Sequence, residues 1–192
     1  MSLENEPGSS SCDGIAVAII GAGPLGRWLA LAAARAGFRV RLEDVMPSNL
    51  HHAQEYLRRE LSPANPGAAL QNIAFVSSIE DAVREADLAI DCVPDELESK
   101  LEILWLLDRM APPRTVLATP TTNLSIADLA ACTYRAEKCV AVALDPREFS
   151  RPPESGAIAL RTTARTADAS VALVRTFWQS LGFTVSVEVT PA

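Results

Sequence analysis

Hydrophobic residues along this chain follow two alternating spacings. Short runs of β-branched residues and alanine predict buried strands, and longer stretches with apolar residues three and four apart predict amphipathic helices. The strands are expected near residues 15–20, 38–43, 73–77, 87–92, 115–119, 139–144, 156–162 and 183–189. The helices are expected near residues 24–36, 47–61, 79–86, 95–110, 125–132 and 167–181. This alternation is typical of an α/β protein with a mostly parallel sheet.

Residues at the helix ends support these boundaries. Ser78 is a candidate N-cap for the third helix, because its hydroxyl can accept a hydrogen bond from a free amide of the first turn. Pro112 ends the long fourth helix, since proline cannot continue one. Gly182 stands where a glycine commonly follows a helix. We expect a polar, disordered leader over residues 1–12 and a single domain over residues 13–192.

The first strand leads into a glycine-rich turn. It reads Ile15-Ala-Val-Ala-Ile-Ile-Gly21-Ala-Gly23-Pro24-Leu25-Gly26 and is followed by an apolar helix. In dinucleotide sites the first glycine permits the tight turn, the second lets the backbone approach the pyrophosphate, and the third lets helix and strand pack closely. A glycine pattern of this kind also occurs in turns that bind nothing. The strand, turn and helix in this order predict a doubly wound Rossmann-type sheet.

An acidic residue ends the second predicted strand. Asp44 lies 23 residues after Gly21, close to the spacing at which a carboxylate receives the ribose hydroxyls of NAD. A carboxylate there repels the 2′-phosphate of NADP, so NAD is the expected cofactor. Glu43 is a competitor for this role, but Asp44 fits the strand end better.

Composition excludes several other classes of function. The chain has 17 Lys and Arg against 24 Asp and Glu, a net charge of −7, which argues against nucleic-acid and anionic-membrane binding. No apolar run approaches the roughly 18–20 residues that a membrane span needs. The four cysteines show neither a CxxC pair nor metal-ligand spacing, so we expect no metal site and a cytoplasmic protein. The adjacent histidines, His51 and His52, are expected to be solvated on a helix surface.

Several phrases together resemble the NAD-binding domain of the 3-hydroxyacyl-CoA dehydrogenase family. Besides the glycine turn and Asp44, they are Ile79 to Lys100, Leu117-Ala-Thr-Pro-Thr-Thr-Asn-Leu124 and Leu181-Gly-Phe-Thr-Val with its continuation to Pro191. The resemblance covers about residues 14–191. Each motif is unspecific alone, but the combination is specific.

The resemblance implies a set of site residues. Gly21, Gly23 and Gly26, with Pro24 and Leu25 between them, would hold the pyrophosphate, and Asp44 would hold the adenosine ribose. Val93, Asp95 and Lys100 would line the second ribose and the nicotinamide. Alternatively, Asp95 and Lys100 are ordinary surface charges at a helix start. Thr122 stands at the family's active-site serine, which makes it the candidate catalytic residue; Thr121 and Thr122 could equally be satisfied hydroxyls at a strand end.

The chain departs from the family where catalysis takes place. The family moves a proton with a histidine that a glutamate orients, but this chain has Ala143 or Val142 at the histidine position and Ala159 at the glutamate position. Asp145 and Pro120 replace family asparagines. The segment from Asp44 to Ile73 is shorter than the family's helical arm, and the helical C-terminal domain is expected to be missing.

Three functions are consistent with this pattern. The first is an NAD(H)-binding sensor, regulator or partner subunit without the family's chemistry. The second is an NAD-dependent oxidoreductase with altered chemistry near Thr122, Asp145 and two arginines, Arg147 and Arg151, where the arginines could clamp a carboxylate or merely solvate the loop. The third is an interaction module that has lost the cofactor. An apolar segment at Trp105 and Leu106 also raises the hypothesis of a homo-oligomer or a separate partner chain, although a core-facing helix explains it equally well.

Overall fold

A computed structural model describes residues 14–61, 70–145 and 156–190. The expected leader, Arg147 and Arg151 lie outside these ranges. The strands are β1 (Ala16–Ile20), β2 (Arg39–Glu43), β3 (Ile73–Val76), β4 (Leu88–Asp91), β5 (Val116–Pro120), β6 (Cys139–Val142), β7 (Gly156–Thr162) and β8 (Phe183–Val189). The helices are α1 (Pro24–Arg35), α2 (Pro47–Leu61), α3 (Ile79–Val83), α4 (Leu97–Met110), α5 (Ile126–Ala131) and α6 (Asp168–Ser180), with a 3-10 turn at Ala136–Lys138.

The strands form one sheet in the order β3-β2-β1-β4-β5-β6-β7-β8. The first six strands in this order run parallel, β7 is antiparallel to β6, and β8 is parallel to β7. The chain therefore reverses direction once, between β6 and β7. This is the expected doubly wound, mostly parallel α/β sheet.

Helices cover both faces of the sheet, and β1 shows why. Val17 and Ile19 enter one core, and Ala18 and Ile20 enter the other, because successive side chains of a strand point to opposite faces. The first core contains α1, α2 and α6, and the second contains α3, α4 and α5. In the first core the indoles of Trp28 and Trp178 stack with centroids 6.2 Å apart.

The helix-end predictions are confirmed in three places. The Ser78 hydroxyl accepts a hydrogen bond from the Asp81 amide at 3.2 Å. Helix α4 stops at Met110, directly before Ala111 and two prolines. Gly182 follows α6 with a φ of +91°. Helix α3 is shorter than predicted, since it ends at Val83 and is followed by turn residues.

The apolar segment of α4 has side chains both in the core and at the surface. Leu104 and Leu107 are buried in the second core, as the core-facing interpretation expects. Trp105 is 46% exposed, and the Arg109 guanidinium lies over its ring at 4.7 Å from the centroid. Across the described residues, no helix is long and apolar enough to cross a membrane.

Candidate functional site

The glycine turn after β1 is tightly packed. Gly21 has a φ of +102°, and its amide donates to the Glu43 carbonyl at 2.8 Å. A Cβ on Gly26 would lie 1.9 Å from the Gly21 carbonyl oxygen, which is an impossible contact. Gly26 is therefore required for α1 to start directly against the turn.

Gly23 occupies an open position at the start of α1. It is the N-cap residue, and a Cβ built on it would meet nothing within 4 Å. The first helical hydrogen bond runs from the Arg27 amide to the Gly23 carbonyl at 3.0 Å. The amides of Leu25 and Gly26 precede that bond and Pro24 has none, so two amide donors at the helix start have no acceptor within the helix, and Leu25 lines the open space. This open space beside free amides fits a pyrophosphate.

Asp44 borders the same space and is already hydrogen-bonded. Its carboxylate accepts from the Ala22 amide at 2.9 Å, the Met46 amide at 2.8 Å and the Asn49 side-chain amide at 3.1 and 3.2 Å. Asp44 thus ties the glycine turn to the end of β2. The exposed Asn49 side chain is the one contact of the three that ribose hydroxyls could replace without moving the backbone. No sequence motif marks Asn49.

Glu43, the competitor, is buried but does not line the cavity beside Asp44. Burial, with the neighbouring Asp44 charge, raises the pKa of Glu43 from 4.5 to about 7. The structure therefore distinguishes the two carboxylates, and only Asp44 faces the open space.

The raised pKa of Glu43 predicts a pH-dependent stability. Between about pH 4.5 and pH 7 the folded state keeps the Glu43 proton and the unfolded state loses it, so stability falls as pH rises through this window. The loss attributable to Glu43 is on the order of 3 kcal/mol by pH 8. Urea unfolding at pH 5 and pH 8 should show this loss in the wild type and not in Glu43→Gln. Equal pH dependence of the two proteins would contradict the prediction.

The end of β4 contains a buried ion pair. Lys100 and Asp91 are both fully buried, with Lys100 Nζ 3.1 Å from Asp91 Oδ2. The Thr119 hydroxyl donates to the same carboxylate at 2.9 Å, and the Val93 amide at 3.0 Å. Burial raises the pKa of the Asp91 carboxyl, and these partners oppose the rise.

This placement corrects the expected role of Lys100. It is not a surface charge, and it does not line the cavity that Val93 and Asp95 line. Lys100 instead acts through Asp91, which fixes the Val93 backbone in the cavity wall.

Asp95 is also buried, and the surface-charge alternative is wrong for it as well. Its Oδ2 accepts from the Thr122 amide at 3.3 Å. Its Oδ1 is buried and has no hydrogen-bond partner among the described residues. A buried acceptor without a partner, in a residue that lines the cavity, fits a ligand that donates a hydrogen bond.

The two threonines after β5 differ. Thr121 is buried, and its hydroxyl accepts from the amides of Asn123 and Leu124 at 3.3 and 3.1 Å, which is the satisfied strand-end arrangement. Thr122 is exposed beside Asp95. Arg161, which no sequence motif marks, donates from β7 to the carbonyls of both threonines at 3.2–3.3 Å.

The strand pair β6–β7 places two alanines opposite each other. Ala141 pairs with Arg161 and Val142 with Leu160, and the Ala143 amide donates to the Ala159 carbonyl at 2.8 Å. Residues opposite each other in an antiparallel pair share a face. The register therefore pairs Ala143, and not Val142, with Ala159.

The glycine turn after β1, the start of α1, the end of β2, the first turn of α2 and the turn after β4 line one cavity of about 560 Å³. β1 pairs with β2 on one side and β4 on the other, so the cavity lies where the strand order reverses, the usual ligand site of such sheets. The lining residues are Gly21, Gly23, Pro24, Leu25, Asp44, Asn49, Cys92, Val93, Pro94, Asp95 and Glu96. Burial raises the pKa of the Cys92 thiol, so this lining side chain is uncharged at neutral pH.

Comparison with known proteins identifies relatives of this arrangement. The family model described as "3-hydroxyacyl-CoA dehydrogenase, NAD binding domain" matches residues 16–189. A probable 3-hydroxybutyryl-CoA dehydrogenase of Bacillus subtilis is 32% identical over 133 residues, covering 65% of this chain and 46% of that protein. A 5-formyl-3-hydroxy-2-methylpyridine 4-carboxylate 5-dehydrogenase of Mesorhizobium japonicum is 30% identical over 173 residues, covering 86% and 54%. The chain spans about half the length of these relatives.

Solved structures show the same fold. The (S)-3-hydroxybutyryl-CoA dehydrogenase of Ralstonia eutropha superposes with a TM-score of 0.81 at 24% identity, covering 91% of this chain and 63% of that one. A 5-formyl-3-hydroxy-2-methylpyridine 4-carboxylic acid 5-dehydrogenase, described as an NAD+ dependent dismutase, superposes with a TM-score of 0.74 at 28% identity, covering 91% and 57%.

Proposed function

Because the chain belongs to the family of 3-hydroxyacyl-CoA dehydrogenase NAD-binding domains, whose cofactor is NAD, we propose that it binds NAD(H) without carrying out that family's histidine–glutamate chemistry. It would then act as a sensor, a regulator or a partner subunit. The observation that carries this proposal is the register of Ala143 against Ala159, two side chains that can neither accept nor orient a proton.

The cavity residues divide the proposed cofactor site into two ends. Gly21, Gly23 and Gly26 with the free amides of α1 would hold the pyrophosphate, and Asp44 would accept from the adenosine ribose. Val93 and Asp95 would line the second ribose and the nicotinamide. Lys100 would support this end indirectly, through Asp91. Bound NAD would supply hydride-accepting capacity, and the residues named here only bind and orient it.

The test measures NADH binding and 3-hydroxybutyryl-CoA oxidation with the same protein preparation. The protein is titrated with NADH, and is then incubated with 3-hydroxybutyryl-CoA and NAD+ while NADH absorbance is followed. We expect binding without NADH formation. NADH formation by the wild-type chain would contradict the proposal, because the reaction would then proceed with an alanine at position 143 in place of a general base.

A matched pair of variants tests the alanine register itself. In Ala143→His/Ala159→Glu the two new side chains are directly opposite each other in the β6–β7 pair. We expect NADH formation to rise above the wild-type level. In Ala143→His/Ala157→Glu the carboxylate is two residues away along the same face of β7, and we expect a smaller gain. Equal activity of both variants would contradict the assigned register.

An oxidoreductase with altered chemistry is the second candidate. Asp95 Oδ1 is buried and has no hydrogen-bond partner among the described residues, while Asp95 Oδ2 accepts from the Thr122 amide. Asp95 lies at the end of the cavity where the nicotinamide would lie. Thr122 would be the group that contacts a substrate oxygen there. Asp145, half-buried three residues after β6, and Arg147 belong to the same hypothesis.

Asp95→Asn tests the nicotinamide end of the site. We expect about tenfold weaker NADH binding, because a hydrogen bond to a charged group contributes roughly 1.5–3 kcal/mol. ADP, which has neither the second ribose nor the nicotinamide, should bind as it does to the wild type. Calorimetric titration measures both ligands, and Glu96→Gln is the control on an exposed neighbour in the cavity lining. Equal weakening of ADP and NADH would contradict this assignment.

A further inference from the structure

Strand β8 forms one edge of the sheet and pairs with β7 over all seven of its residues. Strand β3, at the opposite edge, has four residues. No other strand of the described chain pairs with the outer side of β8. Among the described residues, the longer edge strand therefore has no strand partner on its outer side over its full length.

The hydrogen bonding to β7 identifies which peptide groups face outward. The Thr190 amide donates to the Thr162 carbonyl at 2.7 Å, and Thr162 stands opposite Val189. In a parallel ladder a residue bonds to the neighbours of its opposite residue, so the peptide groups of Val189 itself point away from β7. By alternation the same holds for Phe183, Val185 and Val187.

The side chains of β8 lack the usual protection of a sheet edge. Glu188 is its only charged residue, and the strand contains neither lysine nor proline. Val189 is 65% exposed, and Val185 and Val187 are only partly buried. Natural edges of this length are commonly blocked by charges, proline or a bulge, because an open edge pairs readily with another strand.

We propose that a second copy of this chain occupies the β8 edge, in an antiparallel pair whose two-fold axis passes beside Ser186. The sequence Phe183-Thr-Val-Ser186-Val-Glu-Val189 is almost symmetric about its centre. A two-fold axis there places Val185 opposite Val187 of the second copy, and Phe183 opposite Val189 of the second copy. These are the residues whose peptide groups face outward, so the pair forms about eight backbone hydrogen bonds.

The side chains also match in this register. The four outward-bonding residues are all apolar and share one face of β8, so they form a continuous apolar row across the two copies. On the other face, Thr184 meets Glu188 of the second copy, and Ser186 meets Ser186 of the second copy. No like charges oppose each other. The alternative occupant, a strand of a different protein, would not require this symmetry.

Cysteine cross-linking tests the axis. Ser186 and its symmetry mate form a non-hydrogen-bonded pair with Cα atoms about 4.5 Å apart, within the range of a disulfide. Ser186→Cys should form a covalent dimer under mild oxidation. Thr184→Cys, whose cysteine meets Glu188, should not. Both variants are made in a Cys12→Ser background and compared on non-reducing gels. Equal cross-linking of the two variants would overturn the proposed register.

Charge substitutions test the same register in solution by sedimentation equilibrium. The wild type should have about twice the 20.5 kDa chain mass. Ser186→Lys places two like charges together and should weaken the dimer at least tenfold, whereas Thr184→Lys meets Glu188 and should not weaken it. A monomeric wild type at about 100 µM, or a dimer equally stable in both variants, would overturn the proposal. NADH binding should be unchanged in both variants, because β8 lies four strands from β4, about 19 Å away.

Discussion

Gly23→Ala is expected to weaken NADH binding about 100-fold, equivalent to about 2.7 kcal/mol, with little change in the unfolding midpoint. The φ of Gly23 is −66°, which alanine adopts freely, and the added methyl group meets no protein atom within 4 Å. The methyl group would occupy the space where a pyrophosphate approaches the start of α1. Calorimetric titration measures the affinity, and thermal unfolding followed by circular dichroism measures the stability.

Gly26→Ala is the matched control three residues away. Its methyl group would overlap the Gly21 carbonyl oxygen, so this variant should lose stability by about 3 kcal/mol or more, and NADH binding with it. The two alanine variants therefore separate binding from folding. Unchanged NADH affinity in a folded Gly23→Ala protein would contradict the placement of the pyrophosphate.

Lys100→Met is expected to destabilise the fold by about 3–5 kcal/mol, because it leaves the Asp91 carboxylate buried without its counter-charge. Both side chains are fully buried, so water cannot replace the lost partner. The free energy of unfolding in urea measures the effect. The second lysine of the chain provides the control: Lys138→Met removes one hydrogen bond, to the Pro113 carbonyl, and should cost about 1 kcal/mol.

The double variant Lys100→Met/Asp91→Asn distinguishes charge from packing. Asparagine keeps an oxygen acceptor for the Val93 amide and carries no charge, so the double variant should recover most of the lost stability. If the double variant is as unstable as Lys100→Met alone, the destabilisation arises from packing and the assigned role of the ion pair is wrong.

The fold was largely predictable because its strands are short, buried and β-branched. The periodicity located β1 through β8 to within a few residues, since a buried parallel strand has no polar face that would obscure it. The 3-10 turn at Ala136–Lys138 carries no such pattern and was missed. The reversal of β7 was also absent from the prediction, because strand direction depends on which strands meet in space.

The residues around the cavity were predictable where backbone geometry determines their position. Gly21, Gly23 and Gly26 are recognisable because only glycine fits a close approach or leaves space for a ligand, and Asp44 because a strand end fixes its position. Lys100 was misplaced, since its long side chain turns inward to Asp91, and spacing along a helix does not show this. Asn49 and Arg161 were missed because their contacts, at Asp44 and at the threonine turn, connect distant elements.

The cavity and the β6–β7 pair have different chemical capacity. The end at Gly23 and Asp44 keeps the free amides and the carboxylate that a dinucleotide requires. The β6–β7 pair has a peptide hydrogen bond and two methyl groups at Ala143 and Ala159, where the family has its histidine and glutamate. The proposed role as an NAD(H)-binding protein follows from this contrast.

Calorimetric titration with NADH and with NADPH, using the wild type and Asp44→Ala, measures whether the cavity is an NAD-selective dinucleotide site. We predict micromolar NADH binding (on the order of 10⁻⁶ M), at least tenfold weaker NADPH binding because Asp44 repels the 2′-phosphate, and no detectable NADH binding by Asp44→Ala. Absence of binding by either nucleotide, or equal binding of both, would rule out an NAD-selective site at Asp44.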